Sequence, residues 1–395
     1  MTGEQLRKLF NQNYTPARYA RFLELVSARC GEPAPFRLCE TPCFFDWDFM
    51  RRCSREGEEL IEQLTHNPAY QQASEAAIPE KYRAPGEPAD PLFVQVDFGV
   101  VRGEDGLLAP RLVEIQAFPS LYAFQPVLAQ SYIDAYDLPR DLHYLLDGLD
   151  MEAYTKILRE TIVGDHAPEN VILLEIDPAH QKTRPDFTLT ERMLGIRTVC
   201  ITRLRKEGRR LLYQRDGAWT VIERIYNRTI IDEVERKGVT IPFDWRDELG
   251  VEWAGHPNHY FRISKFSLPF LKHPSVPRTM FLHEAEDLPE PLKDWVLKPL
   301  YSFAGLGVTL GPTRERIAAI PAAERKNWVL QERVEFTPVI ETPHGYTKAE
   351  IRVMYASGRP VTHIIRLGRG AMMGVDHNRD MEWVGASAAL YHEAS

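Results

Sequence analysis

The chain has 395 residues, a formal net charge of −8 and a pI near 5.9. That length exceeds what one hydrophobic core supports, so two or three domains are expected. The acidic balance excludes a broad nucleic-acid surface while leaving room for a local basic pocket.

With 44% hydrophobic and 26% charged residues the composition is that of an ordinary globular protein, and no run approaches the roughly 18 apolar residues of a membrane span. The opening MTGEQLRKLFNQNYT has no apolar signal-peptide core, so a cytoplasmic location is expected. Cys30, Cys39, Cys43, Cys53 and Cys200 form no CxxC pair, and Cys39 and Cys43 have no partner at metal-binding spacing, so free thiols are expected.

Thr15-Pro16 predicts a helix start with proline at the first helical position; apolar residues at 19, 22, 23 and 26 keep the helical spacing, and Gly31 predicts the end. A second helix is predicted over about 46–65, and the polar, Pro-rich residues 66–90 read as a connecting loop. Residues 1–90 are expected to be a helical lead-in.

Residues 93–121, FVQVDFGVVRGEDGLLAPRLVEIQAFPSL, carry the strongest local signal, an Asp105-Gly106 pair between two β-rich runs. A two-residue turn there sets Asp97 opposite Glu114, with Cβ atoms within about 5.5 Å. Gln95 and Gln116 then share their face, while Val96, Phe98, Val113 and Ile115 take the apolar one. Opposed carboxylates repel by a few tenths to about 1 kcal/mol, and a cation between them removes that cost. Asp97, Glu114 and the Gln116 amide oxygen are hard oxygen ligands of the kind that nucleotide-bound magnesium accepts. Taken alone, the pattern also fits the solvated face of an ordinary hairpin, and Pro110 can lengthen the loop and shift the register.

After the break at Phe118-Pro119-Ser120, LYAFQPVLAQSYIDAYDL predicts a helix; the hairpin and this helix make up residues 91–150. From 170 onward VILLEID reads as a buried strand, TLTERMLGI as a helix ending at Gly195, RTVCIT as a strand and RLLYQRDGAWTVIERIYNR as a hairpin. Such alternation implies an α/β unit with a parallel sheet over about 151–250. In residues 251–395, FRISKFSLPFL reads as a helix start bearing Lys265 and VPRTMFL as a short strand. WVLKPL is a strand bearing Lys298, YSFAGLGVTL a glycine loop, WVLQERV an apolar strand, and AEIRVMYASGRPVTHIIRL a hairpin with Arg352 and Arg366.

Lys298 followed by Ser302, Gly305 and Gly307 suits a phosphate cover: an ammonium meets the oxygens while glycines let backbone amides come close. The spacing is neither that of a Walker A loop nor GxGxxG. Gln331, Glu332 and Val334, where the apolar strand ends, can face an adenine and a ribose. Arg352, Arg366 and Arg228 suit a planar carboxylate or acyl phosphate, and each also fits a structural ion pair. His256 and His259 in HPNHY read as ordinary polar residues rather than zinc ligands.

In this combination the motifs resemble the ATP-grasp superfamily: a first lysine (Lys265), a second before a glycine loop (Lys298), and a strand ending in Gln331-Glu332. Glu350, Arg352, Arg366 and Asn378 match its later positions. The magnesium element that usually follows downstream is instead the hairpin of Asp97 and Glu114-Ile115-Gln116. That order resembles the circularly permuted ATP-grasp proteins, and VDFGV…RLVEIQAFPSLYAF looks like the glutathionylspermidine synthase-like branch. The resemblance covers about 93–125 and 222–378.

It implies a mixed α/β (α+β) fold with the ATP-grasp core in permuted order, a pre-ATP-grasp-like domain at 151–250 and nucleotide-binding subdomains at 251–395. It also implies ATP and Mg2+ as cofactors and ADP-forming ligation of a small-molecule or peptide carboxylate to an amine or thiol, with no nucleic-acid or membrane partner. Gln116 departs from the family's Asn by one methylene, and no substrate residues carry over, so glutathione and spermidine are not implied. Phosphoryl transfer to a hydroxyl would need a base that is not recognisable here. A non-catalytic nucleotide-binding regulator would not need the full set of lysines and carboxylates.

Overall fold

The protein, seen as a computed structural model, is described over residues 2–302, 305–378 and 380–392. Four helices open the chain. Gly3–Asn13 starts in a capping box between Thr2 and Gln5. Pro16–Cys30 runs from a Thr15 cap to Gly31 at φ 84°, as the Thr-Pro and Gly signals require. Trp47–Thr65 follows. The fourth, Pro68–Ala77, falls in the stretch expected to be a loop. Asn67 caps it, its Oδ1 accepting from the N–H groups of Ala69 (3.0 Å) and Tyr70 (3.2 Å), and Pro68 takes the first helical position. Residue polarity hid a start signal that the Asn-Pro pair carries.

The largest sheet joins the two ends of the sequence. Its strands lie in the order Gly385–Ser387, Arg359–Gly368, Gly345–Ala356, Phe93–Arg102, Leu108–Gln116, all antiparallel, with Pro338–Thr342 also paired to Gly345–Ala356. Arg352 pairs with Asp97 and Glu350 with Gly99. Alternation sends Val96, Phe98, Ile115, Ile351, Val353 and Ile365 to a core under the helix Trp47–Thr65, where they meet Met50, Cys53 and Leu60. Gly57 permits that approach: a Cβ there would lie 2.1 Å from Tyr355 Oη, which donates to the Ser54 carbonyl at 2.6 Å. The opposite face, around Asp97, carries the polar side chains.

A parallel sheet follows, ordered Glu252–Ala254, Arg224–Asn227, Val171–Glu175, Arg197–Cys200, with the helix Arg184–Leu194 between its first two strands in sequence. The expected hairpin is shorter than its sequence suggested. Arg210–Arg215 pairs with Ala218–Ile222 across Asp216 and Gly217, both at positive φ, but Arg224–Asn227 leaves it for the parallel sheet.

A smaller antiparallel sheet has the order Thr279–Phe281, Trp328–Glu332, Trp295–Pro299, Thr309–Leu310. Ahead of it, the helix expected at FRISKFSLPFL is one turn, His259–Arg262, and a 3-10 segment, Lys265–Phe270, interrupted by Pro269. The C-terminal strand Ala389–Leu390 returns to pair in parallel with Cys43–Phe44. Among the described residues, no helix is long and apolar enough to cross a membrane.

Candidate active site

The carboxylate hairpin reaches its expected register by an unexpected route. Its loop spans residues 103–107, closed by Gly103 N–H to the Leu107 carbonyl (2.8 Å), so Asp105-Gly106 is not a two-residue turn. Next to the loop Arg102 pairs with Leu108 and Phe98 with Leu112, a register that would set Asp97 against Val113. A β-bulge at Val113 inserts one residue, and beyond it Asp97 faces Glu114 and Gln95 faces Gln116. Leu112 takes the core position expected of Val113, whose side chain turns to the cleft.

The bulge also frees a carbonyl. Lys298 Nζ donates to Val113 O at 2.9 Å and to Gln331 Oε1 at 2.5 Å, tying the large sheet to the smaller one. Gly99 makes a second tie: a Cβ there would be 2.9 Å from the side chains of both Val334 and Phe336, which would have to shift where the chain leaving Trp328–Glu332 crosses the hairpin.

Between the two sheets lies a cleft of about 440 Å³, a size suited to a small-molecule ligand. Asp97, Glu114, Gln116, Glu350, Arg352 and Arg366 line one side; Lys265, Lys298, Ser302, Gly305, Gln331 and Val334 line the other. Lys265 Nζ donates to Ser302 O (2.9 Å) and lies 3.4 Å from Glu114 Oε2. Ser302 and Gly305 flank residues 303 and 304, which lie outside the described residues, as do 379 and 393–395.

Arg352 holds the acidic face together. Its Nε and Nη2 pair with the two oxygens of Asp97 at 2.5 and 2.6 Å, and Nη1 donates to Gln95 Oε1 at 2.9 Å. Nη2 lies 3.6 Å from Glu114 Oε1. With its amide oxygen turned to the guanidinium, Gln116 accepts from Nη2 at 2.6 Å and Nη1 at 2.9 Å. Arg366 bridges Glu350 and Asp97. Burial works against the charge on Asp97, but Arg352 and Arg366 outweigh it and hold the carboxyl below its ordinary range. Burial raises Glu350 against the pull of Arg366. Burial likewise pushes Lys298 down to about 8, although Glu114 opposes the fall.

Several expected residues lie elsewhere. Glu332 is half exposed on the outer side of its strand, its carboxylate accepting from Arg278 N–H at 3.4 Å. Glu335 lines the cleft instead. Strand alternation turns Glu332 away from the cleft that its neighbour Gln331 faces, whereas Glu335 lies beyond the strand end, paired with Arg333 at 3.1 Å. The same rule puts Val296 beside Lys298 on the cleft wall, where Leu310 joins it.

Gly307, at φ 77°, shapes the glycine loop against Pro299 without lining the cleft. Arg228 is sealed among the rings of Phe118 and Phe187, bonded to the Pro119 carbonyl and to Thr183 Oγ1. His256 and His259 strap residues 84–87 to the chain: His256 meets the Pro85 carbonyl and His259 faces Glu87, and burial pushes His259 down to about 4. Asn378 organises a neighbouring loop, accepting from the N–H groups of Arg369 and Gly370 and donating to the carbonyls of Met372 and Gly374.

No protein-family model and no curated protein matches the sequence. A glutathione synthetase-like effector from Globodera pallida, solved without ligand, superposes with a TM-score of 0.57 over 97% of this chain and 99% of its own, at 10% identity. A candidate gamma-glutamylcysteine synthetase from Methylobacillus flagellatus covers 86% of both chains at 15% identity, with a TM-score of 0.38 that is too low to bear on the fold. The likeness to the effector is one of fold: the chain shares its mixed α/β architecture across nearly its whole length.

Proposed function

We propose that the chain is an ATP-dependent ligase joining a carboxylate to an amine or thiol through an acyl phosphate, built as an ATP-grasp protein in circularly permuted order. One observation carries the reading: Asp97, Glu114 and Gln116 from the first third share one cleft with Lys265, Lys298 and Gln331 from the last. The pairing of Phe93–Arg102 with Gly345–Ala356 accounts for how so distant a hairpin arrives there.

In this reading adenine lies against Val296, Leu310 and Val334, with Gln331 beside it and Glu335 offering its carboxylate to the ribose. Lys265 and Lys298 neutralise phosphate charge, and the backbone at Ser302 and Gly305 lies where it can meet the phosphate. Asp97, Glu114 and Gln116 would hold magnesium. Among the described residues no three His, Cys, Asp or Glu side chains gather as a metal cluster, and two carboxylates with one amide suit a hard cation that arrives with phosphate ligands of its own. The ion would supply charge neutralisation at the β- and γ-phosphates.

The substrate carboxylate attacks the γ-phosphorus and ADP leaves; the amine nitrogen or thiol sulfur then attacks the acyl carbon, phosphate departs and the nucleophile loses its proton. Arg352 and Arg366 supply charge to the carboxylate and to the phosphate it receives. Most of the rate would come from positioning and charge stabilisation. Incubation with ATP, magnesium and pooled carboxylate and amine metabolites tests the reading. ADP and free phosphate formed only when both acceptors are present support it; a phosphorylated metabolite, or bound nucleotide that is never consumed, contradicts it.

A further inference from the structure

The proposed metal ligands already have a cation, and it is part of the chain. The Arg352 guanidinium bonds both oxygens of Asp97 and the amide oxygen of Gln116, and lies 3.6 Å from Glu114. Register puts it there, because Arg352 stands directly opposite Asp97 on the neighbouring strand. It is a buried bidentate pair, among the strongest charge-assisted contacts available to a side chain. A metal ion at this seat would meet the same two oxygens of Asp97 and the same amide of Gln116 with a guanidinium beside it, so like-charge repulsion and crowding set the ion and Arg352 in competition.

Resting on the magnesium assignment made above, we infer that Arg352 is an internal plug of the metal seat, which lets the divalent ion in only together with a nucleotide. Free hydrated magnesium gives up its water reluctantly and gains little by competing with a bidentate arginine. A triphosphate changes the balance on both sides. It supplies oxygens to the ion, and it offers anionic groups that the displaced guanidinium, planar and always charged, can meet. Asp97 is not stranded by the exchange, because Arg366, anchored on Glu350, lies 3.3 Å from its Oδ2 and stays. Nucleotide and metal thus bind with positive coupling, and by linkage each tightens the other equally.

The probe is Mn2+, followed by its free-ion electron paramagnetic resonance signal. Nucleotide-free wild-type protein binds it weakly; Arg352→Met, which removes the plug at similar length, binds it at least about tenfold more tightly, equivalent to about 1.4 kcal/mol of binding free energy. Adding Asp97→Asn to that variant abolishes the gain.

If Arg352→Met gains nothing while wild type with a non-hydrolysable ATP analogue still takes up Mn2+ in an Asp97-dependent way, the plug is wrong and the metal seat stands. If wild type takes up no Asp97-dependent Mn2+ even with the analogue, the seat itself is wrong and the plug falls with it. A crystal structure with Mg2+ and the analogue checks the point without any variant. Arg352 turned away from Asp97 supports the exchange, and the bidentate pair intact beside a bound metal overturns it.

Discussion

Two clusters of buried charge, one on the large sheet and one beside the parallel sheet, look alike in composition and differ in what surrounds them. On the large sheet Arg352 and Arg366 meet Asp97, Glu114 and Glu350 along a cleft wall. Beside the parallel sheet Arg228 lies among Phe118, Phe187 and Thr183, near the buried Asp186. Asp186 is spent on structure, accepting from the N–H groups of Leu121, Ala123 and Phe124 at the start of the helix Phe124–Tyr136. Arg228 likewise bonds a backbone carbonyl, that of Pro119. A buried arginine is therefore no sign of a site by itself. What separates the two clusters is access: carboxylates turned to a cleft can exchange a protein cation for another, and one tied to three backbone amides cannot.

The largest effect should come from breaking the sealed cluster. Arg228→Met leaves the buried Pro119 carbonyl without its charged donor and removes the nearby positive charge that favours ionised Asp186, and should cost about 3 kcal/mol of stability in urea unfolding. The protein that remains folded should bind nucleotide like wild type; weakened binding there would move Arg228 into the site.

In the open cluster Asp97→Asn should lower ATP turnover by about 10²–10³, by analogy with loss of a single oxyanion-hole donor, and unchanged turnover would remove Asp97 from the metal role.

Lys298 gives the open cluster a pH signature on the alkaline side. Its folded value of about 8 lies below the usual lysine value, so it is charged below pH 8 and neutral above. Triphosphate affinity should be full at pH 7 and fall as pH rises through 8, and Lys298→Arg should flatten the profile. The sign for stability is opposite. The unfolded chain binds the lysine proton more tightly between about pH 8 and 10.4, so the free protein should gain stability as pH rises across that window; a Lys298→Met control should lose that gain.

The smallest contrast is between neighbours. Glu335→Gln should weaken nucleotide binding by up to about tenfold, whereas Glu332→Gln, on the outer side of its strand, should leave it unchanged.

Period-two alternation made the two faces of the hairpin legible from residues 93–116, including the opposition of Asp97 and Glu114. The loop was not: Asp105-Gly106 suggested a two-residue turn, while the observed loop spans 103–107, and only the bulge at Val113 restores the facing pair. Two local deviations cancelled, and a bulge leaves no mark in residue type. The helix Pro68–Ala77 was hidden behind the polarity of its residues although Asn67-Pro68 announces it.

The pairing of Phe93–Arg102 with Gly345–Ala356 joins segments about 250 residues apart, beyond the reach of propensity or spacing. Only the order of motifs, set against a known family, suggested that the two segments belong together. The contact of Arg352 with the proposed metal ligands depends on that pairing, so it too could not be read locally.

The most direct test of the central claim is calorimetric titration of a non-hydrolysable ATP analogue with Mg2+ into wild type, Asp97→Asn and Lys298→Met. Each variant should bind about 10- to 100-fold more weakly, the worth of one charge-assisted contact of about 1.5–3 kcal/mol. Undiminished binding in Asp97→Asn alongside loss in Lys298→Met would show that the early hairpin takes no part in holding the nucleotide, and would contradict the account.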